Sequence, residues 1–147
     1  MELIAIKETL EENSEYLNDP SCAEIVKMSV DFYTKVGFVP PWICYLTSHE
    51  GNMVGGAAIK GRPVNGTVEV SYGTFDKYQK TGIGTMICGE LVKLCRAADP
   101  TLKITARTLS DNIPSHRILQ KNNFVYTGIV VDPDDGPVWE WVWQPQM

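Results

Sequence analysis

The chain has 147 residues, a formal net charge of −5, and 44% hydrophobic against 21% charged residues, the profile of one ordinary globular domain with a core. The acidic balance argues against sequence-independent nucleic-acid binding, which needs a basic footprint. No apolar run approaches the roughly 18–20 residues of a membrane span, so no membrane partner is expected.

Glu2, Lys7, Glu8, Glu11 and Glu12 interrupt the first residues, which leaves no signal-peptide core there, and a cytoplasmic location is expected. Met1 to Ile6 reads as a short strand. Ile6, Leu10, Asn13 and Leu17 then recur at helical spacing. After Pro20, Ser21 and Glu24 have the spacing of a capping box. Ile25, Met28, Phe32 and Val36 follow as the apolar stripe of a helix, with Gly37 as its natural exit. Pro40-Pro41 breaks the chain. Trp42 to Thr47 and Val54 to Lys60 read as strands around the turn Glu50-Gly51-Asn52, the second weakened by Gly55-Gly56. Asn65-Gly66 marks another turn. Thr67 to Phe75 alternates, with Val68, Val70 and Tyr72 on one face and Glu69, Ser71 and Gly73 on the other.

A helix is expected from about Thr85 to Ala98, with Ile87, Leu91, Leu94 and Ala98 as its stripe. Asp99-Pro100 ends it. Leu102 to Leu109 then completes a β-α-β unit, whose strands should be parallel. Asn112 to Lys121 is a short helix, and Asn122-Asn123 suits a left-handed exit. Phe124 to Val131 and Val138 to Trp143 are the last strands, around the loop 132–137. No repeat, low-complexity tract or linker divides the chain, so residues 1–147 form one domain. The fold class is α+β: a mixed, mostly antiparallel sheet with flanking helices.

Cys22, Cys44, Cys88 and Cys95 form no C-x-x-C pair, and His49 and His116 are the two histidines. No metal site is expected, and the cysteines read as buried thiols. Trp139, Trp141 and Trp143 alternate on one strand face and read as packing. His116 follows Ser115, but adjacent helical residues point about 100° apart, which argues against a nucleophile-base pair.

The chemistry-bearing stretch is Gln79-Lys80-Thr81-Gly82-Ile83-Gly84-Thr85, between a strand and a helix. The first N–H groups of a helix lack internal partners, and its N-terminus favours an anion. Glycine lets the backbone approach a phosphate. The Walker pattern G-x-x-x-x-G-K-[ST] is absent. The dinucleotide pattern G-x-G-x-x-G fails at Ile87, although Asp111 lies near where a ribose-binding acid would fall. The pattern Q/R-x-x-G-x-G/A fits without adjustment.

From Thr67 to Phe124 the sequence resembles the GCN5-related N-acetyltransferases (GNAT). Glu69-Val70-Ser71-Tyr72, the Gln79–Gly84 loop, and the stretch Asn112-Ile113-Pro114-Ser115-His116-Arg117-Ile118-Leu119-Gln120-Lys121-Asn122-Asn123-Phe124 carry the likeness. The last is similar to the family's N-x-x-S-x-R-x-L-x-K-x-x-F helix, closest to the branch that acetylates ribosomal proteins and N-terminal alanine. The resemblance implies a GNAT fold with a splayed parallel strand pair, Thr67–Phe75 and Leu102–Leu109. It implies acetyl-CoA as co-substrate and no metal. The acceptor would be an amine-bearing small molecule or a peptide N-terminus, with a homodimer left open.

The resemblance also implies roles. Backbone N–H groups from Lys80 through Thr81, Gly82, Ile83 and Gly84 to Thr85, after Gln79, would hold the pyrophosphate. The backbone of Thr74 and Phe75 would pair with pantetheine. Asn112 would contact CoA or a water. Arg117 and Lys121 could serve the 3′-phosphate, although a solvated helix face explains them as well. Glu69 would be the general base. Many relatives carry a Tyr acid where this chain has Leu119, and Ser115 occupies a position that resembles the acid of the N-terminal-acetylating branch. The expected activity is acetyl transfer to a primary amine by direct attack. The alternative is a non-catalytic acyl-CoA-binding module, followed by a nucleotide-binding domain.

Overall fold

The computed structural model describes residues 1–145. Seven strands form one sheet in the order β1-β2-β3-β4-β5-β7-β6. They are β1 (Glu2–Ala5), β2 (Cys44–His49), β3 (Asn52–Ile59), β4 (Thr67–Thr74), β5 (Lys103–Thr108), β6 (Phe124–Asp132) and β7 (Gly136–Trp143). Among the described residues only β4 and β5 pair in parallel; the other neighbours are antiparallel. The helices are α1 (Pro20–Val36), α2 (Ile83–Ala98) and α3 (Ile113–Lys121). No helix among the described residues is long and apolar enough to cross a membrane.

The structure departs from the sequence pattern before α1 and within α1 itself. The segment around Leu10 and Asn13 is a short 3-10 turn, Glu11–Tyr16. Asn13 is fully buried there because its side chain bonds the backbone of Lys7 and Thr9. Helix α1 is capped by Asp19, which accepts from the N–H groups of Ser21 and Cys22, rather than by Ser21. Its core face is Cys22, Val26, Ser29 and Tyr33, whereas Met28 is 66% exposed and Val36 is also exposed.

The two faces of the sheet carry different helices. Tyr45, Ala57 and Tyr72 are cross-strand partners, and they share a face with the core side of α2, where Ile87, Cys88, Leu91 and Cys95 are fully buried. Cys44, Ala58 and Ser71 are partners on the opposite face, covered in part by α1. Gly55 and Gly56 are requirements of this packing. A Cβ on Gly55 would stand 2.1 Å from the Gly73 carbonyl oxygen, and one on Gly56 would stand 2.8 Å from Ile25 Cδ1. At such distances something must move.

Candidate functional site

The loop at the start of α2 is shaped by its backbone. Gly82 caps α2 in a left-handed conformation, φ 85°, and Lys80 is also left-handed at φ 62°. The first helix-closing bond runs from the Met86 N–H to the Gly82 carbonyl at 3.2 Å. The N–H groups of Ile83, Gly84 and Thr85 therefore lie in the turn that helix geometry leaves without acceptors. The polar side chains shape the loop. Gln79 Nε2 donates to the Thr74 carbonyl at 3.3 Å and to Asp76 Oδ1 at 3.2 Å, and the Thr81 hydroxyl donates to the Tyr78 carbonyl. Ile83 is turned into the core. Gly84 is fixed by packing, since a Cβ there would meet Ile118 Cδ1 at 2.7 Å. A groove of about 640 Å³ opens on this loop, with Arg117 and Lys121 along its α3 wall.

A slot in the sheet begins beside this groove. The parallel pairing of β4 with β5 runs from Thr67↔Lys103 to Val70↔Ala106 and ends there. Strand β4 continues against β3 to Thr74. Lys60 donates to the Glu69 carbonyl and Phe75 donates to the Val54 carbonyl, each at 2.8 Å. Odd-numbered groups of β4 thus face β3. By alternation, the N–H and C=O groups of Tyr72 and Thr74 face the open side. Phe75 is not free to pair with an inserted arm: its N–H is held by Val54 and its carbonyl accepts from the Tyr78 N–H at 2.8 Å. Tyr72, beside Thr74, is the residue whose N–H and C=O face the open side.

On the α2 face, Ser115 and Asn112 line the same groove. Asn112 Oδ1 is the cap of α3, accepting from the Ser115 N–H at 3.3 Å. Leu119 is fully buried in the core. Tyr72 carries part of the family likeness in Glu69-Val70-Ser71-Tyr72, and its hydroxyl is buried with no partner at hydrogen-bond geometry among the described residues. Burial pushes its phenol far up, Cys88 adds to the rise, and a hydrogen-bonding approach from Ser115 offsets a little of it. His116 is structural: it lies 3.1 Å from the Leu109 carbonyl and stacks on Trp139 at 4.6 Å.

On the α1 face, Glu69 belongs to an ionic cluster. Its carboxylate lies 2.9 Å from Lys60 Nζ and 3.8 Å from Arg107 Nε. Arg107 also reaches Asp132 at 3.0 Å and Glu140 at 3.5 Å. Burial works against the Arg107 charge, but the Asp132 hydrogen bond and the surrounding carboxylates raise it further. The Asp134 N–H, with Arg107, holds the Asp132 carboxyl below its usual range. Lys60 and Ser71 then open onto a second groove, about 790 Å³, between α1 and strands β3 and β4. Tyr72, Gly73 and Thr74 line both grooves. Glu69 is not part of the lining, whereas its ion-pair partner Lys60 is. The cluster escaped sequence reasoning because β7 inserts between β5 and β6, which brings Glu140 beside Arg107.

Among the described residues no group of His, Cys, Asp and Glu could hold a metal ion. A search of curated proteins gives no match. Solved structures with the same fold include RimL, a ribosomal alpha-N-protein acetyltransferase in complex with coenzyme A, at 16% identity over 95% of this chain and 91% of that one, TM-score 0.66. An aminoglycoside acetyltransferase AAC(6')-Ib with coenzyme A and kanamycin matches at 21% identity over 95% and 92%, TM-score 0.69. A spermidine N-acetyltransferase SpeG chimera, from Vibrio cholerae and hSSAT, matches at 12% identity over 97% and 94%, TM-score 0.68. The acetyltransferase (GNAT) domain family matches residues 6–125, the greater part of the chain. With the β4–β5 splay and the helix-start loop in place, this chain belongs to the GNAT acetyltransferase family.

Proposed function

We propose that the protein transfers an acetyl group from acetyl-CoA to a primary amine by direct attack. The observation that carries this reading is the end of the β4–β5 ladder at Val70↔Ala106. It leaves a slot between the anion-binding loop and the α1 groove, where two substrates can meet from opposite sides. In this reading the pyrophosphate sits on the N–H groups of the α2 start. The pantetheine arm pairs with Tyr72 and Thr74, and the thioester arrives near Ser71 and Tyr72.

The step balances simply. The amine nitrogen forms a bond to the thioester carbonyl carbon, the carbon–sulfur bond breaks, and sulfur leaves with the electron pair. The ammonium form of the acceptor must lose a proton before attack, and the attacking nitrogen loses another. Glu69 is the carboxylate assigned to accept it. Lys60 occupies Glu69 in the free protein, so the incoming ammonium exchanges places with the Lys60 ammonium, charge for charge. Ser115, on the opposite wall, is assigned the proton that returns to the thiolate.

Neighbours of this fold are described as acting on a ribosomal protein N-terminus, aminoglycosides and spermidine. These support an amine acceptor as a class. The test is thiol release from acetyl-CoA with a panel of primary amines, alongside calorimetric titration of CoA. Amine-dependent release is expected. CoA binding without release under any amine would support the alternative of a non-catalytic acyl-CoA-binding module.

A further inference from the structure

Helix α1 carries an apolar stripe beside its core face. Ile25, Met28 and Phe32, spaced three and four apart, line the 790 Å³ groove; Ile25 and Phe32 also pack against the core, and the adjacent face, Cys22, Val26 and Tyr33, fills it. Met28 is 66% exposed. On the other side of the groove stands Phe75. The charged side chains around it cancel: Glu24, Asp31 and Asp76 against Lys35, Lys60 and Lys77. Two of the lysines are already paired, Lys35 with Asp31 at 3.5 Å and Lys60 with Glu69 at 2.9 Å.

A polycation needs several carboxylates left uncompensated, because each extra ammonium loses hydration on entry. This groove does not offer them. It offers apolar surface on both walls and a volume within the usual range of small-molecule sites. It also runs, through Tyr72, Gly73 and Thr74, into the slot described above.

We infer that the acceptor is a small primary monoamine carried on an apolar or aromatic body, with the body against Ile25, Met28 and Phe32 and the amine directed to Ser71 and Lys60. This rests on the acetyl-transfer reading. A polyamine or aminoglycoside is the wrong chemistry for the site.

The experiment measures thiol release from acetyl-CoA by the full chain with five probes: 2-phenylethylamine, hexylamine, spermidine, kanamycin and a leucine-initiated tetrapeptide. The expected result is a kcat/KM for the first two at least about tenfold above the rest, the scale on which apolar pockets discriminate. Met28→Glu places a charge on the exposed stripe without touching the core. It should raise KM for 2-phenylethylamine about tenfold while CoA affinity stays as it was. Preference for spermidine, kanamycin or the peptide would overturn the inference and leave acetyl transfer standing, as would an unchanged KM in Met28→Glu. Failure of every amine, with CoA bound normally, would overturn the acetyl-transfer reading and the inference with it.

Discussion

Lys60 Nζ lies 2.9 Å from Glu69 Oε2, and only Lys60 of the pair lines the α1 groove. The carboxylate assigned as base is thus screened by a lysine that the acceptor must displace. Glu69→Gln keeps size and removes the base, so turnover should fall by about 10²–10⁴. The loss should shrink as pH rises, because more of the acceptor is then neutral before it binds. Lys60→Met should act the other way on binding and lower KM for the amine several-fold. A wild-type rate and pH profile in Glu69→Gln would return Glu69 to a purely structural place in the Arg107 cluster.

The glycines separate binding from folding. A Cβ on Gly82 meets nothing within 4 Å, so Gly82→Asp should fold, at a cost of about 1–2 kcal/mol for the left-handed backbone. Its carboxylate would stand where phosphate is expected, and CoA affinity should collapse. Gly82→Ala carries the same strain without the charge and is the control. Gly55→Ala should do the reverse: its Cβ would stand 2.1 Å from the Gly73 carbonyl oxygen, so β3 and β4 must part. A loss of more than about 2 kcal/mol is expected in urea unfolding. Equal CoA affinities for Gly82→Asp and Gly82→Ala would remove the loop as the phosphate site.

The loop, the β-α-β unit and the strand alternation were legible because each is local: a glycine at a helix start, a period of two, a crossover. What was not legible depended on polar groups satisfied at a distance. In α1 the periodicity of apolar residues selects Ile25, Met28 and Phe32. The core instead takes Ser29 and Tyr33, because Ser29 bonds the Ile25 carbonyl at 2.7 Å and Tyr33 Oη bonds the Ile6 carbonyl at 2.7 Å. A scan for hydrophobic spacing discards both residues. Likewise Glu69 reads as a lone strand carboxylate until the register sets Arg107 opposite Glu140. That the Phe75 N–H is held by Val54 follows only from the hydrogen-bond direction along β4, which no residue pattern carries.

Tyr72 and Ser115 answer to different measurements. Ser115→Ala should lower turnover about tenfold or more if it returns the proton to sulfur, with little change in acetyl-CoA affinity. Tyr72→Phe removes a buried hydroxyl that has no partner at hydrogen-bond geometry. Leaving such a group unsatisfied costs about 1–3 kcal/mol, so the variant should melt at a temperature equal to or above that of the wild type. A clear drop in melting temperature would show that the hydroxyl is bonded in solution, with Ser115 the first candidate to test in a double-mutant cycle.

The thiols of α2 set an alkaline limit on stability. Burial pushes Cys88 up to about 12 and Cys95 up to about 11, from an ordinary 9.0. Both are fully buried and free. The fold therefore holds the neutral thiol, whereas the unfolded chain begins to ionise near pH 9. Below that pH the two states bind the same protons at these sites, and the benefit of the neutral thiols is fully present. Between about 9 and 11 the unfolded state sheds protons that the fold retains, so stability falls as pH rises, on the order of 1 kcal/mol per pH unit per thiol. In the native protein at pH 8, neither thiol should react with a disulfide reagent until urea opens the core. Cys88→Ala gives the sharper check. It leaves a small cavity and should be the less stable protein at pH 8, but it has no Cys88 to ionise. The gap between wild type and variant, measured by urea unfolding, should narrow between pH 8 and pH 10. A gap that stays constant over that range would show that Cys88 is not held neutral by the fold.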